Sequence, residues 1–140
     1  MGKISARSTK DVKEFLEHLF GDNFEFHPKF FEELSSLLFA SGNQKIVIRK
    51  LINLLDTILQ LDDIDYGPNW IEHLKEYGNM YSLHIVTRGV NYRLLFSKTT
   101  TGKLFLHAFY ERNDSRVNSY ANHVRKAIER REQWKEERLR

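Results

Sequence analysis

The chain has 140 residues, 41% apolar and 13% aromatic, with two prolines and seven glycines, which is material for one well-packed core and too little for a second. It has no cysteine, so disulfides, thiolate metal sites and thiol catalysis are excluded. Net charge is only +3, but residues 1–80 carry 9 Lys/Arg against 13 Asp/Glu while residues 81–140 carry 13 against 6.

A basic C-terminal half suits a polyanion or an acidic protein partner, because its field raises encounter rates and neutralises phosphates. The plain alternative is a solvated basic helix. No segment approaches the roughly 18 uninterrupted apolar residues of a membrane span, and the first residues, MGKISARSTKDVKEF, have no apolar leader core. A cytoplasmic protein without membrane contact is expected.

Ser8 or Thr9 can cap a first helix in which Val12, Phe15, Leu16 and Leu19 recur at helical spacing, with Gly21 at its stop. Phe24 and Phe26 alternate as in a strand, which leaves a fourth strand open near residues 23–27. From Phe30 the period becomes helical through Phe31, Leu34, Leu37 and Leu38, and Pro28 suits the first turn. After Ser41-Gly42-Asn43, the set Ile48, Leu51, Ile52, Leu55, Ile58 and Leu59 marks a longer helix, so Phe30 to Leu61 reads as a helical hairpin.

Residues 61–69 collect acids, Gly, Pro and Asn and mark a loop. Trp70, Leu74 and Tyr77 suggest a short helical turn. Three β-rich runs follow at residues 80–86, 91–97 and 103–110, separated by lengths that favour hairpins, and they predict a three-stranded antiparallel meander. Asp114 or Ser115 can cap a last helix with Val117, Tyr120, Ala121, Val124, Ala127 and Ile128 on one face and Arg125, Lys126, Arg130, Arg131 and Lys135 around it. The predicted class is α+β: N-terminal helices on a small antiparallel sheet, then a basic helix.

The pieces HLKEYGNMYSLHI, GVNYRLLFS with Tyr92-Arg93, and LHAFYERNDSR leading into the last helix resemble the RelE/ParE toxin superfamily, in particular its phage-derived, HigB-like branch. The likeness runs from His73 to about Arg131, about two-fifths of the chain. It implies one domain over residues 1–140, with a RelE-like core from 23 to 140 and residues 1–22 as an added helical cap. It also implies a toxin of a type II toxin–antitoxin pair, a ribosome-dependent endoribonuclease that cuts messenger RNA without metal or small-molecule cofactor. Its partners would be messenger RNA, the ribosome and a cognate antitoxin.

Such cleavage proceeds by attack of a ribose 2′-hydroxyl on the neighbouring phosphate. It needs a base at the 2′-oxygen, positive charge for the phosphorane and an acid for the 5′-oxygen. The resemblance places Arg93 on the second meander strand as the phosphate-contacting residue and Arg112 and Arg116 at the junction before the last helix. His84 is the proton-transfer candidate and Tyr120 a stacking or proton-donating one. Arg88 and Lys98 join Arg116 as RNA-binding candidates. Relatives often carry lysines where this chain has Ser82 and His84.

Each assignment has a structural counterpart: Arg93 as a strand-surface arginine, Arg112 and Arg116 as solvated charges, Tyr120 as part of the apolar stripe. His107 reads as a hydrogen-bonded histidine between core aromatics. Asp62, Asp63 and Asp65 lack the full EF-hand spacing, and the six histidines have no paired metal-ligand pattern, so no metal is expected. The alternative function is a non-catalytic RelE/ParE-like protein that binds RNA or a protein target.

Overall fold

The structure, a computed structural model, describes residues 8–61, 64, 68–87, 89–100, 102–111 and 117–138. Its elements are α1 (Thr9–Phe20), β1 (Phe24–Phe26), α2 (Pro28–Ala40), α3 (Gln44–Gln60), β2 (Ile71–His73), a 3-10 turn (Lys75–Tyr77), β3 (Met80–Thr87), β4 (Val90–Lys98), β5 (Lys103–Tyr110) and α4 (Val117–Arg138). The strands form one mixed sheet in the order β1-β5-β4-β3-β2, and the class is α+β.

The helix starts follow from local chemistry. The Ser8 hydroxyl accepts a hydrogen bond from the Asp11 amide at 3.2 Å and satisfies one of the orphan donors of α1. At α2, Pro28 occupies the first turn and the Nδ1 atom of His27 accepts from the Lys29 amide at 3.1 Å. An imidazole thus does the capping that a serine or aspartate does elsewhere.

Helices α1 to α3 cover one face of the sheet. They bury Val12, Leu16 and Phe20 of α1, Phe30, Phe31, Leu34 and Leu38 of α2, and Val47, Ile48, Leu51, Leu54, Leu55 and Ile58 of α3 against Tyr81, Leu83, Ile85, Tyr92, Leu94, Phe96 and Phe105 of the strands. The buried stripe of α3 is shifted from the expected one: Val47 and Leu54 are inside, and Leu59 is 38% exposed. Leu19 of α1, expected inside, also faces out, and Phe20 takes its place. Helix α4 covers the opposite face, where Val124 and Ala127 pack on Met80, Leu95, Leu104, Leu106 and Phe109.

The sheet differs from a three-stranded meander at both edges. Strand β1 is present and runs parallel to β5, with Phe24 beside Lys103 and Phe26 beside Phe105. Strand β2 pairs antiparallel with β3 where a helical turn was expected, and only the single 3-10 turn follows it. Three residues are too few to show a period, so the edge of β3 decides their conformation. A Cβ at Gly102 would lie 2.6 Å from the Asn23 carbonyl oxygen, so glycine lets the β4–β5 turn pass the start of β1.

Strand β5 contains a bulge. Leu95 pairs with His107 but the next residue, Phe96, pairs with Phe105, which leaves Leu106 as one extra residue. Alternation changes phase there. Leu104, Leu106, His107 and Phe109 therefore belong to the α4 side, while Phe105 and Ala108 belong to the other.

Phe105 is the centre of the larger core: its ring lies 4.9 to 5.6 Å from those of Phe24, Phe26, Phe30 and Phe96. Phe105→Ala should therefore lower stability by about 4 kcal/mol, read from chemical denaturation. A loss below about 1 kcal/mol would mean that the aromatic cluster collapses around the gap and is not a fixed centre.

Candidate functional site

Two polar clusters lie on the α4 side of the sheet: an enclosed one around the buried His107 and Arg130, with Glu33 and His123 half-buried, and a second, half-buried one around Arg93. The enclosed cluster joins α2, β5 and α4. Beyond Phe26 the edge of β5 has no strand beside it among the described residues, and α2 takes that place; the Glu33 Oε1 atom accepts from the Ala108 amide at 3.3 Å. The same carboxylate accepts from Arg130 through Nη1 at 2.6 Å and Nη2 at 2.9 Å, and from His107 Nδ1 at 2.8 Å. Arg130 also donates to the Leu106 carbonyl at 2.8 Å.

Arg130, grouped by its sequence pattern with the solvated charges of the last helix, is thus buried. His107 is a hydrogen-bonded histidine between aromatics, as its surroundings in sequence suggest: it is 2% exposed, and its Nε2 lies 2.6 Å from His123 Nδ1. The Glu33 carboxylate can only accept, so Nδ1 of His107 carries a proton, and Nε2 of the same ring faces His123. Burial alone pushes the Glu33 carboxyl up, but hydrogen bonds from His107 and Arg130, with their charges, hold it at about 2. Burial and then the neighbouring His107 push His123 down to about 4.

The second cluster lies further along the same face. The ladder sets His84 of β3 beside Arg93 of β4 and Arg93 beside Phe109 of β5. Asn91 shares the face, as alternation along β4 predicts, and Glu111 closes the row by donating its amide to the Asn91 carbonyl at 2.8 Å. The Asn91 side chain donates to the Glu111 carbonyl at 2.8 Å and accepts at Oδ1 from His84 Nε2. This fixes the amide orientation and puts a proton on His84 Nε2, so that in the neutral ring Nδ1 is the acceptor.

Arg93 Nε donates to Glu111 Oε2, and its Nη1 lies 3.9 Å from Glu72 Oε2. From α4 the Tyr120 ring lies 5.9 Å from the Arg93 guanidinium carbon. Burial raises the Tyr120 phenol, against the pull of Ser82 and Arg93, so it stays protonated and can act as a donor. Among the described residues, neither the Tyr120 hydroxyl nor the buried Ser82 hydroxyl has a hydrogen bond of good geometry.

The structure therefore brings Arg93, His84 and Tyr120 to one face. Lys98 is not with them: its ammonium lies 5.8 Å from the ring of Tyr81, on the side of α1 to α3. Arg88, Arg112 and Arg116 lie outside the described residues. Residues outside the predicted site set complete the site: Asn91, Glu111 and Glu72 around Arg93, and Glu33, His123 and Arg130 in the enclosed cluster. The signal for Glu111 was present, two residues beyond Phe109 on the same face.

Phe109 joins the clusters. Its ring stacks on His123 with centroids 3.9 Å apart and meets Tyr120 edge-on at 5.7 Å. The enclosed cluster thereby sets where Tyr120 stands. No group of three or more His, Asp or Glu side chains suited to holding a metal occurs among the described residues. No helix among them is long and apolar enough to cross a membrane. No protein-family model, curated protein or solved structure matches this chain.

The enclosed cluster makes the fold acid-sensitive in two windows. His123 accepts a proton in the fold only near pH 4 against an ordinary 6.5, so the unfolded chain takes up the proton first and stability falls as pH drops from about 6.5 to 4. Glu33 stays ionised to about 2 against 4.5, so what it contributes is present above about 4.5 and lost toward 2. His123→Phe should flatten the upper window in thermal melts followed by circular dichroism, and an unchanged profile would remove His123 from this account. Glu33→Gln should cost about 3 kcal/mol at pH 7, because it leaves the Arg130 charge buried and unpaired.

Proposed function

We propose that this chain is a toxin of a type II toxin–antitoxin pair, a RelE/ParE-superfamily protein of the HigB-like branch, and that it cuts messenger RNA on the ribosome in the cytoplasm without a metal. The observation that supports this best is the convergence of His84, Arg93 and Tyr120 on one face of the sheet beside the C-terminal helix. The order of elements from Phe24 onward, a strand, two helices, antiparallel strands and a last helix, is a further support for the reading. Helix α1 then precedes that core and packs onto α2 through the common apolar cluster.

In this reading His84 Nδ1 takes the proton from the ribose 2′-hydroxyl as that oxygen attacks the adjacent phosphorus. Arg93 balances the negative charge that builds on the phosphorane oxygens, the largest contribution such a site offers. Tyr120, kept protonated by burial, gives its proton to the departing 5′-oxygen as the P–O5′ bond breaks and a 2′,3′-cyclic phosphate is left, and its ring can stack on a base. Arg112, which follows Glu111 in the chain, and Arg88 and Arg116 supply further positive charge for the strand. Lys98 would meet RNA only where the strand passes the other side of β4. A cognate antitoxin would neutralise the protein by covering the α4 side.

A second reading, a RelE/ParE-like protein that binds RNA or a protein without cutting, draws on two observations. Arg93 already has two carboxylate neighbours, and Ser82, 0% exposed, offers no charge where relatives often have lysine.

Induced expression in a bacterial host separates the two. Wild-type protein should arrest growth and generate new messenger-RNA 5′ ends inside coding regions. Arg93→Ala and His84→Ala should each lower cleavage by about 100-fold or more while the protein stays folded. Arrest without new 5′ ends, or no arrest, would overturn the nuclease and favour the binding protein instead.

A further inference from the structure

Arg93 does not wait empty for a phosphate. Its Nε is already bonded to the Glu111 carboxylate, and Glu111 is the more exposed of the two side chains, 29% against 15%. A carboxylate and a phosphodiester ask the same thing of a guanidinium, namely N–H donors directed at an oxygen with a full negative charge. Both cannot occupy Nε at once. The second carboxylate, Glu72, is 58% exposed and contacts Arg93 only at 3.9 Å, so it is a weak rival.

Glu111 is also built to let go. Its backbone is held at both polar groups, the amide by the Asn91 carbonyl and the carbonyl by the Asn91 side chain, each at 2.8 Å. Release of the side chain therefore needs no movement of β5. Another polar group lies close by, since Glu111 Oε2 is 3.9 Å from His84 Nε2, and a carboxylate leaving Arg93 can turn toward the N–H edge of that ring.

We infer that Glu111 is a displaceable internal anion, and that RNA enters by exchanging a backbone phosphate for this carboxylate at the Arg93 guanidinium. The inference rests on the RNA reading above. It makes Glu111 a positioning residue that sets the threshold for engaging a polyanion: in the unbound protein it keeps Arg93 oriented and neutralised, and only a ligand able to outcompete an intramolecular carboxylate gains the site.

The experiment measures binding of an uncleavable single-stranded 2′-O-methyl RNA oligonucleotide by fluorescence anisotropy. The proteins are wild type, Glu111→Gln, Arg93→Gln and the double variant, each checked for folding by circular dichroism. Glu111→Gln keeps the size of the side chain and removes its charge, so it should tighten binding about tenfold. Arg93→Gln should weaken binding, and the double variant should bind like Arg93→Gln, because the exchange has no effect without the guanidinium. Glu111→Ala provides the same test where the amide disturbs the end of β5, and it should change affinity in the same direction.

If Arg93→Gln weakens binding while Glu111→Gln does not tighten it, the exchange is wrong and the RNA reading survives. A gain that persists in the double variant would reduce Glu111 to general electrostatics and likewise overturn the exchange. No binding by any of the proteins would overturn the RNA reading and the exchange together.

Discussion

The extra residue in β5 sets the layout of the whole α4 face. With regular alternation, Leu104 and Phe109 would lie on opposite sides of the sheet; with Leu106 inserted, both face α4, and so does His107. The phase change lets a short strand give its first half and its second half to the same helix. It also brings the His107 ring to Glu33, which arrives from α2 along the uncovered edge of β5. Without the bulge, Glu33 would have only the Ala108 amide to hold, and Arg130 would have a weaker reason to enter the interior.

From that point the rest follows by contact. Arg130 fixes the middle of α4, His123 lies seven residues before it on the same helix side, and Phe109 stacks beneath His123. Phe109 then meets Tyr120, so the ring nearest Arg93 is positioned by a buried ion pair on the far side of the helix contact. A half-buried carboxylate with both partners in place is weak evidence for added stability, since desolvation consumes much of the attraction, but its loss strands the buried Arg130 charge. The cluster is better understood as a device that selects one seat for α4.

Much of this architecture was legible in the sequence. Long periodic stretches such as Phe30 to Leu38 and the strand runs at 80–86, 91–97 and 103–110 have their expected types, because each carries several apolar residues at one spacing. The three-residue strands β1 and β2 were harder: Phe24 and Phe26 hinted at the first, while Ile71–His73 has no pattern of its own and is recruited by β3. In the candidate site, the period of two along β4 is enough to set Asn91 and Arg93 on one face. It failed to anticipate Arg130 and Glu33, because nothing in either residue's neighbourhood announces a partner 97 positions away. The bulge is equally silent, since Leu106-His107 reads as ordinary alternation.

That separation also orders events during synthesis. A chain leaving the ribosome N-terminus first presents Phe24, Phe26 and Glu33 long before Phe105 and Arg130 exist. Until β5 and α4 are complete, the parallel edge of β1 has no neighbour and the Glu33 carboxylate depends on water. Contacts of such long span close slowly, because the loop between them has to be ordered first. The N-terminal helices can associate through their own apolar stripes in the meantime. Arg93 and His84 on the sheet and Tyr120 on α4 therefore come together only after α4 has been made.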